Sequence, residues 1–419
     1  MNRELIIDSK GELFLFEMNE LNKINYTKYN HKYIATEVLS LLNDEVLTFS
    51  TTIDEKNNIH VIILTHTGKL LYFLHHEYKW SNALIANFDI KSNIYRNMNI
   101  LLDNENVNII YSYANLINTN LWTIQHTLYN KKTWEKYNII SFLGEKSNQS
   151  FNIDKDSFGT IHLLYNNIHN NSIQINHTFY NSFAKIWNKS TTKLSKTNTN
   201  NFFPYIFIDT KNNLHALWLE KTAENNHLKY FSLTSIGNNK YKWNEKEIPN
   251  ISNCTDMPII FEENGMLKIV YLIENNICFL YSSDYGNSWS IGDLLEIDSS
   301  KIFLVKVSNH LKDIKINHAY CSNENILNIY FVNSFKPVLD YPTSIKIENP
   351  SNTTIQSIPH KKETIEDLNT FYENQDEIKK LLIDILDSQK RLEDNIDIVL
   401  KKLEEDKKSI FSKFFTSQK

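Results

Sequence analysis

Phe203-Pro-Tyr-Ile-Phe-Ile-Asp209, Thr210-Lys-Asn-Asn213 and Leu214-His-Ala-Leu-Trp-Leu219 follow one another without a break, and they read as a strand, a tight turn and a second strand. Aromatic and β-branched residues fill both runs, while the Asp and the Asn pair suit positive φ and side-chain-to-backbone bonding. After a polar loop, Leu228-Lys-Tyr-Phe-Ser-Leu233 gives a third strand, and a fourth begins near Trp243. Strands this short and closely spaced leave no room for crossover helices, so the unit from Phe202 to Ile248 reads as a four-stranded antiparallel sheet.

The same turn recurs as Ile7-Asp8-Ser-Lys-Gly-Glu-Leu13, Ile53-Asp54-Glu-Lys-Asn-Asn-Ile59, Leu102-Asp103-Asn-Glu-Asn-Val107 and Ile153-Asp154-Lys-Asp156. It returns as Glu262-Glu-Asn-Gly-Met-Leu267 and Ser322-Asn-Glu-Asn-Ile326. Trp80, Trp134, Trp187, Trp243 and Trp289 recur at intervals of 54, 53, 56 and 46 residues. A period near fifty with one tryptophan per unit predicts an all-β protein, a β-propeller over residues 1–335. Seven copies of the turn predict seven four-stranded blades. Six with an irregular closure is the alternative, because Lys301 to Asp313 does not fit the repeat and the last copy shows one obvious later strand, near Ser344-Ile-Lys-Ile347.

Ser282-Ser-Asp284-Tyr-Gly286-Asn-Ser-Trp289 resembles the Asp-box (BNR) signature S-x-D-x-G-x-x-W of sialidase-like propellers. That resemblance implies a hairpin between third and fourth strands, fastened by Ser282 and Asp284 around Gly286, with Trp289 packed between blades. Elsewhere the box is degenerate: Lys240-Tyr-Lys-Trp243 and Asn130-Lys-Lys-Thr-Trp134 keep little besides the tryptophan. Asp boxes occur in glycosidases, lectins, sorting receptors and scaffolds, so the resemblance implies a fold and not an activity.

The residue inventory narrows the functions. Sialidases of that family hold a substrate carboxylate with three arginines, whose planar forks pair bidentately. Here there are only Arg3, Arg96 and Arg391, and Arg391 falls beyond the repeats. Glycoside hydrolysis needs two carboxylates across a cleft, but most carboxylates here sit in the repeated first turns, where they read as turn fasteners. His60, His162 and His215 occupy matching positions at the start of the second strand. Asn108, Lys268 and Asn328 hold that position elsewhere, so blade packing is favoured over a metal ring. No phosphate-cradling, dinucleotide or zinc-protease motif appears, and no cofactor or metal is expected. A ligand would be expected on the face opposite the Asp box, at loops such as Thr65 to Lys69, Asn115 to Asn120 and Asn166 to Ser172, or Ser195 to Asn201, Glu220 to Asn226 and Glu274 to Asn276.

A net charge of −5 gives no pull toward nucleic acid. Cys254, Cys278 and Cys321 lie far apart, which fits a reducing compartment. With no apolar leader and no membrane span, a cytoplasmic location is the expectation. The excess of Asn, Ile, Lys, Tyr and Phe over Ala, Gly and Arg suits the AT-rich genome of a low-GC bacterium.

Residues 336–361, with Pro337, Pro342, Pro350 and Pro359, read as a linker. Over 362–419 a 3-4 spacing of Leu368, Ile378, Leu382, Ile385, Leu392, Ile396, Val399 and Leu403 predicts a long helix. The seam runs about six heptads, roughly 70 Å, and calls for a coiled-coil partner, self-association first. The tip, Lys407-Lys-Ser-Ile-Phe-Ser-Lys-Phe-Phe415, could touch a membrane surface. The expected function is thus a non-enzymatic binding or scaffold protein for a protein or glycan ligand, presented multivalently by its stalk. The alternatives are a glycoside hydrolase or a sugar-binding lectin, and a structural component of a bacterial assembly.

Overall fold

Leu214–Lys221 lies between Asn200–Ile208 and Asn226–Leu233 as an antiparallel meander, and Trp243–Glu245 completes its sheet. The other units repeat this plan. The structure is a computed structural model that describes residues 2–335 apart from 104–105, 131–132, 145–150, 224, 235–241, 312 and 324–325. The expected linker, the expected helix with its seam and the tip lie outside the described residues.

The described strands form six sheets, with residues 3–42, 46–87, 93–143, 151–193, 200–245 and 259–296 as blades 1 to 6. Burial falls from the centre outward. Ile59–Thr65, a second strand, is buried at every position, whereas Ala35–Leu42, the outer strand of blade 1, is exposed at its first six. A second strand covered on both faces by neighbouring blades reads as a continuous apolar run; an outer strand does not. This is a β-propeller.

A seventh four-stranded blade is not present among the described residues. The last turn copy joins His318–Asn323 to Leu327–Ile329, and these strands, with Ile302–Asn309, extend the sheet of blade 1. Ile302–Asn309 runs parallel to Arg3–Ile7, while Ile314–Lys315 pairs with Ile259–Glu263 of blade 6. The segment that breaks the repeat is therefore what joins the last blade to the first.

Neighbouring innermost strands are tied by side chains. Asn152 Oδ1 accepts the Ile206 amide at 3.0 Å and Asp154 Oδ2 the Ile208 amide at 2.7 Å. Glu262 accepts both the amide and the hydroxyl of Thr210 at 2.7 Å. At the closure, Glu4 accepts the Thr51 amide, the Thr51 hydroxyl at 2.9 Å and the Ser50 hydroxyl at 3.2 Å, with Lys306 Nζ 3.6 Å away.

The periodic tryptophans work at the same seams, further out. Trp80 Nε1 donates to Tyr26 of blade 1 at 3.2 Å, Trp187 Nε1 to His126 of blade 3 at 3.2 Å, and Trp243 Nε1 to His177 of blade 4 at 3.3 Å. Trp134 departs from the pattern: its ring stacks on Tyr129 of its own blade, 4.7 Å between centroids.

Two of those acceptors set an acid limit on stability. Burial pushes the His126 imidazole down to about 3, and burial with the charge of His162 holds His177 well below the usual histidine range. Below about pH 6.5 the unfolded chain takes up protons that the folded chain refuses, so stability is full above that pH and falls as pH drops. The loss is about 1.4 kcal/mol per histidine for each pH unit until the folded value is reached. The urea midpoint is expected to drop between about pH 7.5 and 5.5 with an unchanged slope; equal midpoints would contradict this account.

Candidate functional site

The first turns of blades 1 and 2 are built alike. Asp8 Oδ1 accepts the Lys10 and Glu12 amides, both at 2.8 Å, and Asp54 Oδ1 accepts the Lys56 and Asn58 amides at 2.9 and 2.8 Å. Gly11 and Asn57 take the positive φ that such a turn requires. The two turns are then stapled together. Asn57 Oδ1 accepts the Ser9 amide at 3.0 Å, and its Nδ2 donates to the Ser9 hydroxyl at 2.6 Å.

A cavity of about 800 Å³ opens beside this staple, lined by both blades. Blade 1 supplies its first turn and the hairpin around Asn30 and His31, with Lys28 and Glu37 at the strand ends. Blade 2 supplies Lys56 to Ile59 and the hairpin from His75 to Tyr78. Lys28 Nζ lies 3.2 Å from Glu37, and His76 Nε2 lies 3.7 Å from Glu77 while its Nδ1 meets Asn58 Oδ1 at 2.6 Å. Burial, then the charges of Lys28 and His76, hold the half-buried His75 below the ordinary histidine range. Burial also pushes Tyr29 up to about 12.

The hairpin of blade 2 is unusual. His76 pairs with Lys79, so Glu77 and Tyr78 are its two loop residues, and both have positive φ, 48° and 63°. Such turns favour Asn-Gly, because an L side chain in this region costs roughly 1–2 kcal/mol. Tyr78 nonetheless stands there 83% exposed at the cavity.

The cavity is on the face of the first turns, the same face as the third-to-fourth-strand hairpins. The loops expected to bind, from Thr65–Lys69 to Glu274–Asn276, join second strands to third or one blade to the next and lie on the opposite face. The sequence-derived residues lie elsewhere too. Ser282 ends a third strand, and its hydroxyl donates to Asp284 Oδ1 at 2.7 Å and accepts the Gly286 amide at 2.9 Å. Asp284 also accepts the Asn287 and Ser288 amides; desolvation, the largest single influence, pushes its carboxyl up, but the Ser288 and Ser282 hydroxyls and these amides together hold it at about 2. Gly286 is packed against the Tyr230 hydroxyl of blade 5, and Trp289 meets the Tyr230 ring edge-on, 5.2 Å between centroids.

His60 and His215 each sit between a turn aspartate and a third-strand tyrosine. His215 Nε2 meets Asp209 at 3.2 Å and its Nδ1 meets the Tyr230 hydroxyl at 2.8 Å; His60 repeats this with Asp54 and Tyr72. His162 also faces its turn aspartate, Asp156, at 3.9 Å, but meets His177 at 3.1 Å in place of a tyrosine. Among the described residues no group of three or more His, Cys, Asp or Glu is placed to hold a metal ion. Arg3 lies over Phe303 and Arg96 over Trp122, in different blades, and Arg391 is outside the described residues.

No family model matches this sequence, and no curated protein matches it. Solved structures do. An ulvan lyase, described as a new family of polysaccharide lyase and solved bound to -[GlcA(1-4)Rha3S]-, is similar at a TM-score of 0.54 and 10% identity, over 79% of this chain and 93% of that one. A six-bladed β-propeller lectin of Aleuria aurantia matches at 0.41 and 13%, over 70% and 96%. An α-L-arabinanase of Penicillium chrysogenum, solved with arabinobiose, matches at 0.42 and 8%, over 66% and 93%. The likeness is one of fold.

Replacing the strained pair, as Glu77→Asn with Tyr78→Gly, is expected to raise stability by roughly 1–2 kcal/mol, read from the urea midpoint. A loss of stability would show that Tyr78 is held there for packing.

Proposed function

We propose that the protein binds a glycan in the cavity between blades 1 and 2 and releases it unchanged. The observation that carries this reading is Tyr78, an aromatic ring set out at the cavity on a hairpin that pays for it in backbone energy. A sugar presents a C–H face to such a ring and hydroxyls to its surroundings, and each hydroxyl both donates and accepts. The Asn30 Nδ2 group can donate and the Thr36 hydroxyl, which itself donates to the Lys28 carbonyl, can accept, while Asn57 and Asn58 are engaged by Ser9, Asp54 and His76. The reading rests on this site and not on the polysaccharide lyase of similar fold.

Binding without turnover is favoured by how the cavity's carboxylates are used. Asp8 is engaged inside its turn, Glu37 is paired with Lys28 and Glu77 with His76, which leaves Glu12 unpaired. Hydrolysis of a glycosidic bond calls for two. Turnover, where found, would direct attention to His75, whose imidazole is held below the ordinary histidine range by burial and then by Lys28.

Self-association through residues 362–419 belongs to the same proposal, since weak sugar contacts gain avidity from a shared stalk. The full chain should retain glycans in affinity electrophoresis without releasing shorter products. Tyr78→Ala should weaken retention about tenfold, equivalent to roughly 1.4 kcal/mol. Full retention by Tyr78→Ala, or product release, would overturn the reading. In solution, the full chain should be an oligomer that becomes a monomer when ended at His360; two monomers would remove the multivalent part and leave the site.

A further inference from the structure

Blade 4 presents a different surface on the face of the first turns. Its first turn and its third-to-fourth-strand hairpin are tied together, the Ser182 hydroxyl donating to the Phe158 carbonyl at 2.9 Å. Each tip is also fixed from within: Asp156 Oδ1 accepts the Phe158 amide and Asn181 Oδ1 the Ala184 amide, both at 2.9 Å. Three apolar side chains stand out from these tips, Phe158 72% exposed, Phe183 96% and Ile186 60%. A cluster of large apolar groups left in water marks a surface that meets something else. The charges of this blade lean one way, in a chain whose net charge is −5. Residues 151–193 contain Lys155, Lys185, Lys189 and Lys193 against Asp154 and Asp156, with no Glu. Asp154 is spent on the Ile208 amide, Asp156 on its own turn, and Lys155 lies 3.4 Å from Asp103 of blade 3. Lys185, Lys189 and Lys193 are exposed, so every exposed charge of blade 4 is positive. On the blade 5 side Asp209 is buried against His215, and the bonds of Asn212 to Ser157 bring the exposed Lys211 alongside.

We infer that this corner of the propeller docks on an anionic lipid surface. Phe158, Phe183 and Ile186 enter the boundary between headgroups and acyl chains, and Lys185, Lys189 and Lys211 meet the headgroup phosphates. Lys185 stands between Phe183 and Ile186 in the chain, and its long stem lets the ammonium stay in water while its neighbours enter. A protein partner would need a pocket shaped for each protruding ring, whereas a fluid bilayer admits both without one. The attraction of the exposed lysines is screened by salt. Docking of this kind does not depend on what the cavity between blades 1 and 2 holds.

The test is cosedimentation of the full chain with vesicles of mixed phosphatidylglycerol and phosphatidylcholine, and with vesicles of phosphatidylcholine alone. The mixed vesicles should carry the chain down, less so with added salt. Affinity should fall about tenfold in Phe158→Ser/Phe183→Ser. Ile117→Ser, at a side chain 97% exposed on the opposite face, should bind as the unaltered chain does. Circular dichroism checks that each variant is folded. A second measurement separates this corner from the basic and aromatic residues Lys407 to Phe415. Cys254, Cys278 and Cys321 are buried, so a Phe183→Cys variant takes an environment-sensitive fluorophore at that position alone. Its emission should rise and shift to the blue on adding mixed vesicles, while the same fluorophore on Ile117→Cys should not respond. No sedimentation, equal sedimentation with phosphatidylcholine alone, full binding by the Phe158/Phe183 variant, an equal loss in Ile117→Ser or a silent fluorophore at position 183 would overturn this inference. The glycan reading would stand or fall separately, on Tyr78→Ala.

Discussion

The innermost strands of blades 2 to 5 are edges of their sheets, and an edge strand carries a row of amides and carbonyls with no strand to pair. A propeller cannot close unless those groups find partners across the seam. Here the partners are side chains: Asn152 and Asp154 reach the amides of Ile206 and Ile208, and Glu262 reaches Thr210. Buried carboxylates are tolerable only while their donors hold, so each seam fixes its two blades in one register. At the closure the demand is greatest. Glu4, 2% exposed, collects Ser50, Thr51 and Lys306 from two flanking strands, and burial still drives its carboxyl up. Backbone ladders take over here, the parallel pairing of Ile302–Asn309 with Arg3–Ile7 and the antiparallel pairing of Ile314–Lys315 with Ile259–Glu263.

Much of this fold was legible because the repeat marks both ends of each blade. A turn aspartate with Asn or Gly three residues later announces the first hairpin, and the tryptophan announces the last. The limits come from what a turn cannot say. Ser322 to Ile326 repeats the turn, but a turn carries no record of how many strands follow or which sheet they join. Nor does the spacing of Trp134 reveal that its ring stays within its own blade. In Asp154-Lys-Asp156 the sequence offers two aspartates. Only the seam decides that Asp156 fastens the turn while Asp154 reaches Ile208.

The cavity was not legible, for a related reason. Its lining comes from four separate segments of two blades, none of which is distinctive alone. The sequence points instead to amide-rich loops on the opposite face, and amides serve solvent as readily as a ligand. One signal was present in the chain: His76-Glu-Tyr-Lys79 is a two-residue hairpin without the Asn or Gly that its geometry favours. Local turn chemistry broken without a packing reward is where function is most often found.

Rigidity of the seam explains why a ligand would sit on it. Groups held at a fixed spacing before binding lose little freedom on contact, which is where much of the cost of association arises. The chain contains a natural comparison. Blades 4 and 5 carry the same staple, with Asn212 Oδ1 accepting the Ser157 amide at 3.0 Å and its Nδ2 donating to the Ser157 hydroxyl at 2.8 Å. The frame is conserved within the molecule, yet the residue that follows differs: Lys10 and Lys56 at one seam, Phe158 and a tyrosine-covered Lys211 at the other. The staple therefore belongs to the architecture, and the third position of each turn is where one seam acquires a chemistry that the other lacks.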